Sequence, residues 1–340
     1  LWDAVTYEPV ARLEETDDVI SMAFSSDGSQ VAVARRDTNI QVWDIRDAAN
    51  PTMLHQFDGS GDEIQFVGES SRIVRIDWFG EGAGVAILDA ATGETQDITA
   101  ISIQSGRNIN GSAISPDGKY VSITAHEMIG DTSMAHFYYL FGWDIESAEP
   151  RMIQNEEITR SGFGTMAYNS AGTTFLLGMD DEVQLSDPSI NAIGLIPVPN
   201  VTAAAFSPDS SLLALGTSAG AIHLYAGRQF VDVLYGINGA VQQVAFSPNG
   251  TYVAAKGDDN TVRVWEVASR RRLGTIQFAP TGSTFIVSQD ETAIFTDKGT
   301  WNIATGTQDT STEIPIYSWY IMRNDGLLAH TDYSADFSKV

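Results

Sequence analysis

The chain carries 5 histidines, 44 acidic side chains and no cysteine, and this inventory limits the chemistry open to it. His55, His126, His136, His223 and His330 fall in four different stretches of the chain, with only His126 and His136 near each other. None opens a His-Glu-x-x-His pattern, which would set two imidazoles on one helix face to bind zinc. Without cysteine there is no thiolate ligand, thiol nucleophile or disulfide. A glycine-rich stretch, FGEGAG at 79–84, lacks the Lys-Ser/Thr of a phosphate-binding loop and reads as an inter-strand turn. Acidic groups cluster at Asp180-Asp181-Glu182 and Asp258-Asp259-Asn260, with Arg35-Arg36-Asp37 and Asp297-Lys298 in related positions. Clustered carboxylates can hold Ca²⁺, which takes roughly six to eight oxygen ligands. None of these clusters has calcium-loop spacing, and Asp- and Asn-rich turns account for them. No catalytic residue, cofactor or metal is expected.

These residues are positioned by a repeat of about forty residues that runs from end to end. One copy reads VQQVAFSPNGTYVAAKGDDNTVRVWEVA (241–268), another VISMAFSSDGSQVAVARRDTNIQVWDIR (19–46), and a third VTAAAFSPDSSLLALGTSAGAIHLYAGR (201–228). Each holds an alternating apolar segment, a Pro/Gly turn, a second apolar run, a polar Asp/Asn turn and a third alternating run. Alternation with period two argues strand, and a fourth strand leads to the next copy. Four short antiparallel strands per copy make a propeller blade.

The copies resemble the WD-repeat β-propeller family, in a divergent, prokaryotic form. The turn recurs as SSDG (25–28), SPDG (115–118), NSAG (169–172), SPDS (207–210), SPNG (247–250), SQDE (288–291) and RNDG (323–326), with VGES (67–70) as a degenerate copy. A Trp-acid pair recurs at Trp43-Asp44, Trp143-Asp144 and Trp265-Glu266, and as Trp301-Asn302. It weakens to Leu88-Asp89, Ser186-Asp187 and Tyr225-Ala226, and Trp2-Asp3 stands at the start. The resemblance implies protein or peptide binding on the face lined by the turns. It also implies an Asp in the turn before the third strand, paired with a His ahead of the first. Asp37 and Asp259 match the Asp, but Glu15 and Ile237 occupy the His positions. Amides of the turn itself are expected to satisfy the Asp.

The Trp positions 2, 43, 88, 143, 186, 225, 265 and 301 are 36 to 55 residues apart, and 301 returns to 2 through residue 340 in another 41. This predicts an all-β fold: one domain over 1–340, a propeller of eight four-stranded blades. Residues 316–340 would supply the inner strands of the last blade and 1–15 its outer part. Seven blades is the alternative, if a degenerate copy is not a full blade. Closure in one blade would remove the last open sheet edges. APTG (279–282) imitates the turn signal, but 285–306 keeps the spacing even.

Net charge is −25. Like-charge repulsion excludes nucleic acid and an anionic bilayer as partners, and no apolar run is long enough for a spanning helix. Acidic turns keep a large β-protein soluble; an acidic face also suits a basic protein or peptide. Absent cysteine slightly favours an extracytoplasmic or cell-surface location. The chain opens in mid-motif at LWD, so a leader, a lipid-anchored stalk or another domain is expected ahead of it. Asn110, Asn200 and Asn249 lie in N-x-S/T triplets, which arise often by chance.

The repeat breaks most at its third copy. There HEMIGDTSMAH (126–136) reads as a swollen turn, followed by the aromatic strand FYYLFGW (137–143) and the long connection SAEPRMIQNEEITRSG (147–162). Loops on a rigid scaffold carry function, and apolar Met suits an adaptable contact surface. Met128, Ile129, Met134, His136, Tyr138, Tyr139, Glu156 and Glu157 are the candidate partner-binding residues. Alternatively the loop folds back over its blade and a tyrosine packs in the core. Arg270–Arg272 reads as a charged edge strand that resists pairing. The function expected is a non-enzymatic interaction scaffold. Two alternatives are a structural subunit of a larger assembly and a cofactor-binding propeller. For the latter, ILDAATGE (87–94) and NIATG (302–306) faintly resemble repeats of eight-bladed quinone-dependent dehydrogenases.

Overall fold

In the computed structural model the described residues are Leu1, Ala11, Leu13 and 19–309, apart from 36–37, 60, 78–81, 103–106, 130–134, 146–150, 159–162, 180, 190, 278–284, 289 and 297–298. They form 28 strands and no helix. The strands make seven four-stranded sheets, all antiparallel, each built from four consecutive strands. The chain divides into two compact units, one in Leu1–Thr159 and one in Arg160–Leu328.

In the first unit the first sheet holds β1 (Val19–Phe24), β2 (Gln30–Arg35), β3 (Asn39–Asp44) and β4 (Thr52–Asp58). The second holds β5 (Glu63–Phe66), β6 (Arg72–Asp77), β7 (Gly82–Asp89) and β8 (Thr95–Ser102). The third holds β9 (Arg107–Ile114), β10 (Tyr120–Ile129), β11 (Ala135–Asp144) and β12 (Arg151–Ile158). The second unit begins with β13 (Phe163–Tyr168), β14 (Phe175–Met179), β15 (Val183–Ser186) and β16 (Ala192–Ile196). Its next sheet holds β17 (Val201–Phe206), β18 (Leu213–Thr217), β19 (Ile222–Ala226) and β20 (Gln229–Leu234). Then come β21 (Val241–Phe246), β22 (Tyr252–Gly257), β23 (Thr261–Glu266) and β24 (Arg272–Gln277). The last holds β25 (Phe285–Val287), β26 (Ala293–Thr296), β27 (Gly299–Asn302) and β28 (Gln308–Asp309).

Register is the same throughout. The Trp position pairs with the second residue of the preceding strand or its equivalent: Trp43 with Val31, Leu88 with Ile73, Trp143 with Val121, Tyr225 with Leu213, Trp265 with Val253 and Trp301 with Ile294. A bulge follows beside it where the fourth strand pairs, at Val42/Trp43, Gly142/Trp143, Leu224/Tyr225 and Val264/Trp265. Such bulges add twist. The 285–306 spacing is the one the last sheet follows, with β25 at Phe285.

The Ser of the first turn explains why that signal repeats. Ser25, Ser115, Ser207, Ser247 and Ser288 are all buried. Ser115 Oγ donates to Asp117 at 2.6 Å and accepts the Tyr120 N–H at 2.9 Å. Ser25, Ser207 and Ser288 do the same with Asp27, Asp209 and Asp290. Asn169 substitutes an amide, accepting from the Thr173 and Thr174 N–H groups. The turns then close on a left-handed residue, Gly28, Gly118, Gly172 or Gly250, with φ of 64°, 66°, 65° and 73°.

No sheet buries its apolar faces alone. One core cluster joins Val42, Ile40 and Phe57 of the first sheet to Ile64, Phe66 and Ile73 of the second. Another joins Ala214, Ile222 and Leu224 to Val241, Val253 and Trp265. Middle strands β14, β18 and β22 are therefore buried on both faces. Small residues permit the approach: a Cβ at Gly216 would stand 2.8 Å from Val241 Cβ on the next sheet. Polar side chains stitch neighbouring first strands together. The Ile64 N–H donates to Ser21 Oγ (3.1 Å), Thr202 Oγ1 donates to the Val241 carbonyl (2.6 Å), and the Gln243 amide exchanges two bonds with the Phe285 backbone (3.1 and 3.2 Å).

Candidate interaction surface

The third sheet is the irregular one, and its irregularity differs in kind from a swollen loop. Residues 126–129 and 135–136 are strand, the ends of β10 and β11. In the first sheet the second and third strands stop pairing at Ala34↔Ile40. The equivalent pair here is Thr124↔Leu140, and pairing continues through Ala125↔Tyr139, His126↔Tyr138, Glu127↔Phe137, Met128↔His136 and Ile129↔Ala135. Five extra pairs lengthen the hairpin by about 17 Å at ~3.4 Å per residue. β9 follows beside it as far as Arg107, opposite Glu127, and β12 as far as Ile158, opposite Tyr138. The segment expected as a long connection, 147–162, thus contains the fourth strand of the sheet. The physical reason is cooperative: flanking strands supply ladder partners that outweigh weak local propensity.

The hairpin brings most of the candidate residues together. Met128, Ile129 and His136 lie on its two-stranded tip; Tyr138 and Tyr139 lie in its base, with Glu157 opposite Tyr139 and Glu156 opposite Leu140. Met134 lies outside the described residues, as do Trp2-Asp3, Asp37, Asp180, Asp297-Lys298, His330 and segment 316–340.

The Asp259 turn shows what stands in for the expected His. Thr261 gives its N–H (3.2 Å) and hydroxyl (2.7 Å) to one carboxylate oxygen. The other oxygen accepts from the Asn238 N–H (3.2 Å) and lies 2.8 Å from Arg263 Nη1. Burial opposes the charge on Asp259, yet the bonds from Thr261, Arg263 and Asn238 outweigh it and hold the carboxyl below its usual range. Neighbouring Asp258 accepts from the Ala240 N–H and from Gln242 Nε2, at 3.0 and 2.7 Å. These carboxylates are spent on turn structure. Among the described residues no group of three His, Asp or Glu is placed to hold a metal.

Two further motifs are also placed. GTSAG at 216–220 has nucleophile-elbow spacing. It joins strand β18 to strand β19, with Gly220 N–H donating to the Thr217 carbonyl, so it is a hairpin turn. Of the basic triplet, Arg272 opens the outer strand β24, while Arg270 reaches toward Asp232 on β20 at 3.9 Å.

Comparison with known proteins follows the same lines. The family model described as "WD domain, G-beta repeat" matches residues 7–44 and 228–266. The chain is 28% identical over 141 residues to pre-mRNA-processing factor 19 homolog 2 of Arabidopsis thaliana, covering 38% of this chain and 25% of that protein. It is 34% identical over 102 residues to an uncharacterized WD repeat-containing protein of Synechocystis, covering 26% and 29%. It is 37% identical over 67 residues to ribosome biogenesis protein erb1 of Neurospora crassa, covering 16% and 9%. The chain spans less than a third of the length of each of these relatives. Over the matched residues the chain is similar to WD-repeat proteins.

Proposed function

We propose that the chain is a non-enzymatic interaction scaffold: a single propeller of eight four-stranded blades that presents the β10–β11 hairpin to a protein partner. The observation that carries this reading is the run of five register pairs by which that hairpin outgrows its repeat. Residues that recur in phase serve packing; a feature present in one sheet alone is free for recognition. Positions 126 and 138, and 128 and 136, are cross-strand pairs of backbone register and carry His, Tyr, Met and His, a composition suited to an interface anchor. Glu156 and Glu157 beside it would meet a basic rim on the partner. The relatives named for pre-mRNA processing and ribosome biogenesis support a life among other proteins. Eight blades require the terminal segments to form the last sheet. The Ala11 N–H donates to the Leu1 carbonyl at 3.4 Å, so two described residues of 1–15 lie together.

The test is to replace 128–136 with Asn-Gly, so that the hairpin closes on Glu127↔Phe137. Circular dichroism and melting temperature should be unchanged, while a stoichiometric partner captured from the source extract should be lost. Retention of that partner by a folded variant would end the hairpin reading.

A further inference from the structure

The second unit carries a cleft that the repeat itself does not need. It holds about 220 Å³ between the sheet of β13–β16 and the sheet of β17–β20. Leu185, Ile193, Phe206 and Leu212 give it apolar walls, and Ser210 and Arg228 stand at it as hydrogen-bond donors. Pockets that enclose a drug-sized ligand or cofactor run roughly 300–1,000 Å³. This one takes a single side chain or a chain end.

Ser210 is out of pattern. Residue 210 closes the first turn of its sheet at φ 60°, where four other sheets use glycine. A non-glycine residue there bears a conformational cost. At the other such exception, Glu291, the side chain accepts the Asn249 N–H at 2.8 Å and so ties two turns together. Ser210 has no such return: its Oγ is buried and has no hydrogen-bond partner among the described residues. Arg228 sits in the β19–β20 turn, is exposed, and makes no ion pair among the described residues. Its side chain lies across Gly194 of β16, where an added Cβ would come within 2.7 Å of Arg228 Cδ and 2.8 Å of Cζ. Around it Ile193, Leu195 and Phe230 are 51%, 43% and 53% exposed.

An exposed guanidinium without an ion pair and a buried hydroxyl without a partner among the described residues, beside an apolar cleft, are complementary to a carboxylate attached to an apolar group. In an extended chain, an acidic side chain and its apolar neighbour point to opposite faces. At a C-terminal residue the carboxylate and the apolar side chain share one Cα. We propose that this cleft captures the C-terminus of a partner peptide whose last residue is large and apolar, with Arg228 and Ser210 holding the carboxylate. The site does not depend on the hairpin reading and is tested without the hairpin's partner.

The experiment is fluorescence anisotropy of the intact chain with a labelled hexapeptide ending in Leu-Phe, as the free acid and as the C-terminal amide. The acid should bind at least tenfold tighter than the amide. Arg228→Gln and Ser210→Gly should each remove that preference with no fall in melting temperature, the second because it restores the glycine used by the other turns. Gly194→Ala, which displaces the guanidinium, should weaken the acid form as well. Equal binding of acid and amide overturns the proposal. So does an acid preference that survives both donor substitutions, or no binding of the acid up to ~1 mM, a free energy near 4 kcal/mol.

Discussion

Arg263 Nη1 stands 2.8 Å from the Asp259 carboxylate, a buried arginine and a partly buried aspartate four residues apart that bridge a turn and the strand after it. Relatives with a His-Asp pair would reach this Asp from ahead of the first strand. Here Ile237 fills that position, and the cation comes from β23 itself. Arg263→Met should cost about 1–3 kcal/mol, the range for a hydrogen bond to a charged group. Asp259→Asn should cost a similar amount, and the double variant less than the two together, because the pair interaction is counted in both singles. Urea denaturation of the four proteins measures this. Strict additivity would mean that the pair is an incidental surface contact.

Ser115 is fully buried and both donates to Asp117 and accepts the Tyr120 N–H. Ser115→Ala should lower stability by about 1–3 kcal/mol, whereas Ser29→Ala, at a partly exposed position, should cost much less. The serines also shape acid stability. Bonds from Ser25 and then Ser29 hold the Asp27 carboxyl below its usual range, and Ser207 and Ser211 do so for Asp209. The Arg46 guanidinium beside Asp44 takes that carboxyl down to about 2. Carboxyls with folded pKa values below the unfolded ~3.9 favour folding above that pH and lose the contribution as pH falls through the folded value. Melting temperature should therefore decline from about pH 4 toward pH 2. Asp27→Asn with Asp209→Asn should make the decline shallower; an unchanged profile would show that these exposed turns contribute nothing.

The fold was largely legible because its signals are local. Ser-x-Asp-Gly turns and Trp-acid pairs specify turn and register within a few residues, and all seven sheets keep them or a substitute such as Asn169. What was not legible depends on neighbours in space. HEMIGDTSMAH has little strand character of its own; β9 pairs only with its first two residues, and beyond them β10 and β11 pair with each other alone. Arg263 could not be matched to Asp259 without knowing how the turn folds. The cleft has Arg228 and Ser210 in one repeat, where SPDS shows Ser in place of Gly, but Leu185 and Ile193 of its wall come from another sheet, which that repeat alone does not reveal.

Ring closure makes its own prediction. If 1–15 forms the outer half of a blade whose inner half lies in 316–340, deleting 1–15 strips two strands and exposes a sheet edge. The truncated chain should aggregate or melt well below the parent, as followed by light scattering during a thermal ramp. A monomer with the parent's melting temperature would leave the seven described sheets as the complete fold.

Trp43 and Trp301 hold the same repeat position with opposite hydrogen-bond fates. Trp43 is buried, and its Nε1 donates to Gln41 Oε1 at 3.3 Å, with Gln41 itself only 1% exposed. Trp301 Nε1 is buried with no partner among the described residues, while the side chain packs at the margin of a core cluster. A buried donor left unmatched costs free energy, and replacing it with a nonpolar group of similar shape removes that cost. Trp301→Phe should therefore be neutral or stabilising, whereas Trp43→Phe orphans the Gln41 amide oxygen and should cost about 1–3 kcal/mol. Trp265, 2% exposed and central to its cluster, should lose about 3–5 kcal/mol on Trp265→Ala. Chemical denaturation orders the three. If Trp301→Phe destabilises as much as Trp43→Phe, the Trp301 indole has a partner after all and the repeat position is satisfied in the same way in both sheets.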